Sequence, residues 1–327
     1  MRRRDFIALL GSGVAAWPLA VRAQQPVMPV IGFLSFRSPG ESAWVEAAFR
    51  QGLREQGYVE GQNLHIAFRW AEGHYDRLPA LAANLAEIRV AVIVTAGGQA
   101  AGLAAKAATS TIPIVFNTGE DPVKLGLVTS LNRPGGNVTG VSMFLKEMET
   151  KRLALLHELM PSAALIGVLI NPESPSIETQ LNDVHAAART LRQQIHIVKA
   201  SNDREIDAAL AALAQRKVTA ILVCSNAYFI GRRNQIVALA AQHALPAIYD
   251  QREFAAAGGL MNYGTDITDA YRLMGVYAGR ILKGEKPADL PVQQSTKFEF
   301  VINLKTAKTL GINIPPTLLA RADEVIE

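Results

Sequence analysis

Polar residues that could bind a small molecule lie directly after short apolar runs of the sequence. Asn117 follows the run 112–116, with Asp121 close behind it, and Asp250 follows the run 245–249. Buried strands of an open α/β sheet present such residues at their carboxyl ends, where these sheets bind ligands. A carboxylate at Asp121 or Asp250 would suit a ligand ammonium, and Asn117 offers both a donor and an acceptor. Asp121 could equally cap a turn.

A glycine-rich loop gives a second candidate for ligand binding. Ala96, Gly97, Gly98 and Gln99 join an apolar run to the start of a helical pattern. Free backbone N–H groups and the positive end of a helix favour an anion at such a position, so a ligand carboxylate is the expected occupant. The loop lacks the GK[ST] ending of a phosphate loop, and with Gly102 it only loosely approaches the dinucleotide pattern GxGxxG. The glycines could also serve only to form a tight turn.

Aromatic and polar residues at or just beyond other predicted strand ends complete the candidate set. They are Ser35, Phe36, Asn171, Ser174, Tyr228, Asn262 and Tyr263. The three aromatic rings could hold an apolar or aromatic ligand group, or could belong to the core. The serine and asparagine side chains could add hydrogen bonds, although Asn171 and Ser174 also fit an ordinary loop and helix cap.

The sequence shows no pattern typical of a catalytic, metal or cofactor site. Its six histidines do not have HExxH spacing, and no GxSxG stretch is present. The single cysteine, Cys224, excludes an internal disulfide and lies inside an apolar run, where an inert buried thiol is expected. No catalytic residue, metal ligand or cofactor is therefore predicted.

The first 23 residues have the features of a signal peptide, with cleavage expected after Ala23. A basic start precedes an apolar run at 6–19 that is too short to span a bilayer. The stretch 3–7, RRDFI, resembles a twin-arginine export signal, although an ordinary secretory signal also fits. Both routes predict a periplasmic protein. Removal of the signal, whose net charge is +3, lowers the charge from +4 to about +1, so no nucleic-acid partner is expected.

Apolar runs and helical patterns alternate along the chain from Pro29. The 327 residues are 49% hydrophobic and 19% charged, which suits one large or two medium globular domains. The alternation predicts an α/β fold with mainly parallel sheets. The pattern of apolar runs and helices also occurs twice in the chain. The stretch 31–34 resembles 166–169, 91–94 resembles 220–223, and 113–117 resembles 246–250. Strands of unrelated α/β proteins also look alike, but a true repeat would give two lobes with a ligand cleft between them.

The pattern after Asp250 predicts that the chain crosses between the lobes three times. A long amphipathic helix at 266–283 and a strand at 297–302 follow the two repeats. The predicted N-terminal lobe comprises 28–142 and 262–292, and the predicted C-terminal lobe comprises 143–261 and 293–327. Hinge strands are expected at 137–144, 260–264 and 292–296.

Several of these stretches together resemble a known family. They are the export signal, the start 29–34, the element 117–122, the turn 133–140 with its NVTG ending, and the runs 249–254 and 258–264. They are similar to the tryptophan/tyrosine-type substrate-binding proteins of ABC transporters, over nearly the whole mature chain. The resemblance implies a type I periplasmic-binding-protein fold, with two Rossmann-like lobes, three hinge strands and an enclosed ligand. The sequence departs from some relatives at 96–98, where those proteins have serine or threonine.

The resemblance further implies an exported solute-binding component of an ABC importer. The implied ligand is a small amphoteric molecule, such as an aromatic or bulky apolar amino acid or a related acid. The implied partners are membrane permease subunits, and a monomer is expected. In this interpretation the glycine loop holds the ligand carboxylate, Asp250 or Asp121 its ammonium, and Tyr228 with Phe36 its side chain. Two alternatives are a sensory protein that presents its ligand to a membrane receptor and a nicotinamide-dependent enzyme.

Overall fold

The computed structural model describes residues 28–143, 148–295 and 297–327. The predicted signal peptide lies outside these ranges, as do Phe144 and Thr296, each at the end of a predicted hinge strand. Among the described residues, no helix combines the length and the apolar character needed to cross a membrane.

Strands and helices alternate along most of the chain. The strands are β1 (Val30–Ser35), β2 (His65–Trp70), β3 (Val92–Ala96), β4 (Ile114–Thr118), β5 (Val138–Ser142), β6 (Leu165–Ile170), β7 (Gln194–Lys199), β8 (Ala220–Val223), β9 (Ala247–Tyr249), β10 (Met261–Thr265), β11 (Gln293–Gln294), β12 (Phe298–Asn303) and β13 (Glu324–Ile326). The helices are α1 (Ala43–Glu55), α2 (Leu78–Glu87), α3 (Gln99–Ala108), α4 (Met148–Leu159), α5 (Ile177–Leu191), α6 (Asp203–Gln215), α7 (Ala227–Gly231), α8 (Arg233–Gln242), α9 (Arg252–Ala256), α10 (Ile267–Leu282), α11 (Leu304–Thr309) and α12 (Pro316–Leu319).

The strands form two sheets, and this arrangement confirms the predicted α/β class. The first sheet has the order β11-β5-β4-β3-β1-β2, and all of its pairs are parallel. The second has the order β13-β12-β10-β9-β8-β6-β7, in which only the pairing of β10 with β12 is antiparallel. The orders β4-β3-β1-β2 and β9-β8-β6-β7 are the same, as the three matching stretches predict. Every residue of β3 and β4 is buried, as is typical of parallel sheets whose two faces are covered by helices.

Helix α10 packs on α1 and so belongs with the first sheet. A Cβ atom on Gly275 would lie 2.1 Å from the carbonyl oxygen of Phe49, and one on Gly52 would lie 1.9 Å from that of Arg272. Only glycine allows the two helix backbones to approach so closely. The described part of the first sheet, with its helices, is called the first lobe below, and the second sheet with its helices is called the second lobe.

Two of the predicted lobe boundaries differ from the structure. Residues 262–265 were assigned to the N-terminal lobe, but β10 pairs with β9 and β12 in the second sheet. Residues 293 and 294 were assigned to the C-terminal lobe, but β11 pairs with β5 in the first sheet. Both strands are short and end just before a crossing, where apolar periodicity does not indicate which sheet a strand joins. The chain crosses between the sheets three times: after β5, after β10 and after β11.

Candidate ligand-binding site

A cavity of about 370 Å³ lies between the two lobes, at the carboxyl ends of their parallel strands. Its volume is within the range of small-molecule sites, which is roughly 300–1,000 Å³. Residues of both lobes line it. The predicted site residues found in its lining are Gly97, Gly98, Gln99, Asn117, Asp121, Ser174 and Asp250.

The glycine loop brings the start of α3 to the cavity. Gly97 and Gly98 have φ angles of 90° and 103°, which strain other residues, and a Cβ atom on Gly97 would lie 2.7 Å from that of Phe36. Gly98 is the N-cap of α3, and Gln99 and Ala100 of its first turn line the cavity. The backbone N–H groups at this helix start have no partner within the helix, so the loop can receive an anion.

Asn117 and Asp121 have different roles at the end of β4. Asn117 is 1% exposed, and its side-chain oxygen has no hydrogen-bond partner among the described residues. Asp121 is exposed, and its Oδ1 accepts hydrogen bonds from the backbone N–H groups of Val123 and Lys124, at 2.9 and 3.3 Å. Asp121 therefore caps a turn, which is the alternative that its sequence context allows, although it also lines the cavity.

The second lobe contributes a buried group of charged residues to the opposite wall. Asp250 is 3% exposed, and its carboxylate accepts a hydrogen bond from the Ser225 hydroxyl. The Ser225 backbone N–H donates to Glu149, 3.0 Å away. Glu149 forms an ion pair of 2.7 Å with Arg152, whose side chain is fully buried. Arg152 also donates to the carbonyl oxygen of Tyr263 at 3.1 Å, which fixes the guanidinium in place.

The charges in this group do not balance when all are ionised. Burial raises the pKa of Asp250, while the charge of Arg152 and the hydrogen bond from Ser225 act in the opposite direction. Burial acts to lower the pKa of Arg152, but Glu149 and Asp250 outweigh it, and the pKa is raised. One guanidinium thus faces two carboxylates. A cationic ligand group beside Asp250 would supply the missing counter-charge.

Several residues of the first lobe that line the cavity were missed by the sequence analysis, among them Arg37 and Tyr75. Arg37 is 3% exposed, and its Nη1 donates to the hydroxyl of Ser42 at 2.9 Å. Tyr75 stacks on Phe36 with ring centroids 4.1 Å apart, and its hydroxyl shares a hydrogen bond with the Asn226 side chain. Burial raises the pKa of Tyr75 to about 12, so its hydroxyl is neutral at physiological pH. Arg37 comes two residues after the end of β1. The signal that identified Ser35 and Phe36, a position at or just beyond a strand end, therefore applies to Arg37 as well.

None of the three predicted aromatic residues is in the cavity lining. Phe36 is 1% exposed and lies behind Tyr75, which is the aromatic residue that faces the cavity. Tyr228 donates its hydroxyl to Asp203, outside the cavity. Tyr263 stacks on Phe298 at 6.3 Å in the second lobe. These rings support the walls and the outer edge, because a position near a strand end does not fix the direction of the side chain.

Four other predicted residues also lie behind the walls. The Ser35 hydroxyl accepts from the backbone N–H of Arg37 at 3.1 Å, and Ala96 is the buried last residue of β3. The Asn171 side chain donates to that of Asn226 at 3.2 Å. The Asn262 side chain donates to the carbonyl oxygen of Glu299 at 3.3 Å. The bonds of Ser35 and Asn171 hold Arg37 and Asn226, which line the cavity, whereas Asn262 and Glu299 both lie outside the lining.

Direct contacts between the lobes close the cavity on its outer side. Besides the bond between Tyr75 and Asn226, Gln99 donates to the Ser176 hydroxyl at 2.7 Å. Arg232 of the second lobe pairs with Glu41 of the first at 2.5 Å. In the part of the chain that the structure describes, no cluster of three or more histidine, cysteine or acidic residues could hold a metal ion.

Comparison with known proteins places this fold and cavity in a family. A family model described as ABC transporter substrate binding protein matches residues 37–326. The chain belongs to this family of substrate-binding proteins. It is 28% identical, over 81% of its length and 75% of the other protein, to a tyrosine-binding protein of Clostridioides difficile.

Solved structures with similar sequences and folds agree with this assignment. An ABC domain from Streptococcus pneumonia in complex with L-Trp is 28% identical, with a TM-score of 0.79, over 91% of this chain and 99% of that one. A conserved domain protein of Vibrio cholerae is 26% identical, with a TM-score of 0.82, over the same shares. The predicted family resemblance and the type I periplasmic-binding-protein fold are therefore confirmed.

Proposed function

We propose that this substrate-binding protein captures a zwitterionic amino acid with an aromatic or bulky apolar side chain and delivers it to ABC permease subunits. The observation that carries the proposal is the buried group of Asp250, Glu149 and Arg152, which faces the glycine loop across the cavity. The group has an excess of negative charge, and the loop presents the positive end of a helix. An ammonium and a carboxylate on one ligand fit these two walls.

The ligand side chain is proposed to lie between the two charged walls. Tyr75, Met143, Ile230 and Ile267 line the cavity there and give it an apolar portion. The tyrosine-binding relative and the L-Trp complex support an aromatic amino acid for this chain as well.

The cellular setting is part of the same proposal. The protein is exported to the periplasm through the signal at 1–23, with cleavage after Ala23, and acts there as a monomer. It binds its ligand without transforming it, which is the role of the family to which it belongs.

Heat denaturation in the presence of each of the common amino acids tests the proposal. A ligand at 100 times its dissociation constant stabilises a protein by about 2.7 kcal/mol. The aromatic amino acids should give the largest increases in Tm, and Asp250→Asn should reduce them strongly without a large change in the ligand-free Tm. If no amino acid raises the Tm of the unmutated protein, the amino-acid assignment is wrong.

A further inference from the structure

We infer that Arg37 determines specificity in the first-lobe wall, where its guanidinium and the N-terminus of α3 together require a free carboxylate on the ligand. Amides, esters and decarboxylated amines with the same side chain would be rejected. The inference rests on the proposed function, because it takes an amino acid as the ligand.

The first observation is that Arg37 is a buried cation with no carboxylate partner among the described residues. It is 3% exposed, and no carboxylate of the described residues lies within 4.0 Å of its nitrogens. Among those residues the guanidinium donates one side-chain hydrogen bond, to the neutral Ser42, and its Nε has no partner. Arg152, the other buried arginine at this cavity, is paired with Glu149. A buried guanidinium is stabilised by an anion that neutralises its charge. Because Nε is still unpaired, we expect Arg37 to bind one more group and that group to be negatively charged.

The second observation is the position of Arg37 beside the glycine loop. In the register of β1 with β3, Ser35 is opposite Ala96, and the Phe36 N–H donates to the Ala96 carbonyl oxygen at 3.1 Å. Arg37 therefore follows β1 next to the point where Gly97 follows β3, and both residues line the cavity. The planar guanidinium can form two parallel bonds with a carboxylate, and the start of α3 adds N–H donors to the same anion.

The opposite wall fixes the orientation of a zwitterion. Asp250 and Glu149 lie in the second lobe, across the cavity from Arg37, so the ammonium of the ligand meets Asp250 and its carboxylate meets Arg37. A ligand without the carboxylate leaves the guanidinium buried and unpaired. Loss of one partner of a buried charge pair weakens binding by about 100-fold or more.

Isothermal titration calorimetry with a matched ligand series tests this inference. The ligands are L-tryptophan and L-tyrosine, the amide of each, and the amines that lack the carboxylate. The unmutated protein should bind each free acid about 100-fold more tightly than its amide. Arg37→Gln should reduce this ratio to less than about tenfold, because it weakens binding of the acid. Arg37→Lys should give an intermediate ratio, because lysine keeps the positive charge but cannot form two parallel hydrogen bonds with a carboxylate.

Two further variants separate specificity from loss of structure. Arg280→Gln removes a partly exposed arginine that is paired with Glu285 on the first lobe away from the cavity, and it should leave the ratio unchanged. Ser42→Ala removes the hydroxyl that positions Arg37, and it should lower the ratio less than Arg37→Gln does. Circular dichroism melting of each variant shows whether its fold is retained.

The possible results distinguish the two proposals. Suppose that the unmutated protein binds a free amino acid, and that folded Arg37→Gln discriminates against the amide as strongly as the unmutated protein does. The role inferred for Arg37 is then wrong, and the proposed function stands. If the unmutated protein binds acid and amide equally, the inference is also wrong. If it binds no amino acid, the proposed function fails and this inference fails with it.

Discussion

The two walls of the cavity stand on equivalent strands but bury opposite charges. In the first lobe, β1 is followed by Arg37 and β4 ends near the neutral Asn117. In the second lobe, β6 is followed by the neutral Asn171, and β9 is followed by Asp250. The same strand order thus places a cation on one wall and an anion on the other. A repeated fold can therefore bind an asymmetric ligand through a few side chains at its strand ends.

The walls also differ in how their charges are supported. The second-lobe wall has its own internal ion pair, between Glu149 and Arg152, whereas the described part of the first lobe offers Arg37 only the hydroxyl of Ser42. We expect loss of Arg152 to lower stability most, and loss of Arg37 to act mainly on binding.

Removal of Arg152 should give the largest effect on stability. Arg152→Ala leaves Glu149 and Asp250 buried without their guanidinium, which should lower the free energy of unfolding by about 3–5 kcal/mol. Urea denaturation at pH 7 measures this, with Arg280→Ala as the control on an exposed arginine. Part of the lost stability should return at lower pH, where Asp250, whose pKa is raised by burial, becomes protonated. A loss equal to that of the control would show that the ion pair contributes little.

Gly97→Ala should have the next largest effect, and it tests the backbone of the first-lobe wall. Alanine at this position would have a strained φ of 90°, and its Cβ would lie 2.7 Å from the Cβ of Phe36. We therefore expect the free energy of unfolding to fall by about 1–3 kcal/mol. Gly40→Ala is the matched control, because Gly40 has a φ of 80° but no atom within 4 Å of its added Cβ. Thermal denaturation compares the two. Equal losses would mean that the close approach to Phe36 is relieved by movement of the loop.

Ligand affinity should depend on pH through Asp250. Burial raises its pKa, so the ionised form costs stability in the ligand-free protein, and stability linked to this group falls as pH rises through the raised pKa. A ligand ammonium needs the carboxylate, so affinity should decrease as pH is lowered through the same window. Calorimetry across that window should show the dependence in the unmutated protein and its absence in Asp250→Asn. A dependence that survives in the variant would assign it to another group.

The ion pair between Glu41 and Arg232 should have the smallest effect. Both side chains are partly exposed, at 21% and 29%, so Glu41→Gln should cost no more than about 1 kcal/mol. Because this pair joins the lobes, the loss should appear mainly as faster ligand dissociation, and salt should reduce it. Stopped-flow dissociation at low and high salt measures this effect. Glu72→Gln, whose pair with Arg77 stays within the first lobe, should leave the rate unchanged.

The sequence predicts those parts of the site that follow directly from strand ends. Asn117, Asp250 and the glycine loop were identified because an apolar run and the polar residues after it are neighbours in the chain. Glu149 and Arg152 were not identified, because they project from α4, about a hundred residues before Asp250 in the chain. Only the packing of the second lobe brings these two residues close to Asp250. Tyr75 was missed for a similar reason, since it begins a short 3-10 helix rather than following a strand.

The fold was predicted more completely than the directions of its side chains. Apolar runs and helical spacing indicate strands and helices, and their repetition indicates two lobes. The pairing of β10 and β11 depended on contacts between distant segments, so their lobes were assigned wrongly. Phe36 and Tyr263 show the same limit, because burial in the core and exposure to a ligand give the same sequence pattern.

The close contact of α1 with α10 has a consequence for the synthesis of the protein. The first of these helices leaves the ribosome early, but its packing partner follows most of the second lobe in the chain. At about 5–20 residues per second, the wait lasts on the order of ten seconds or longer. During that time Phe49 and Leu53 have no α10 to cover them. The first lobe can therefore complete its core only after α10 has been made.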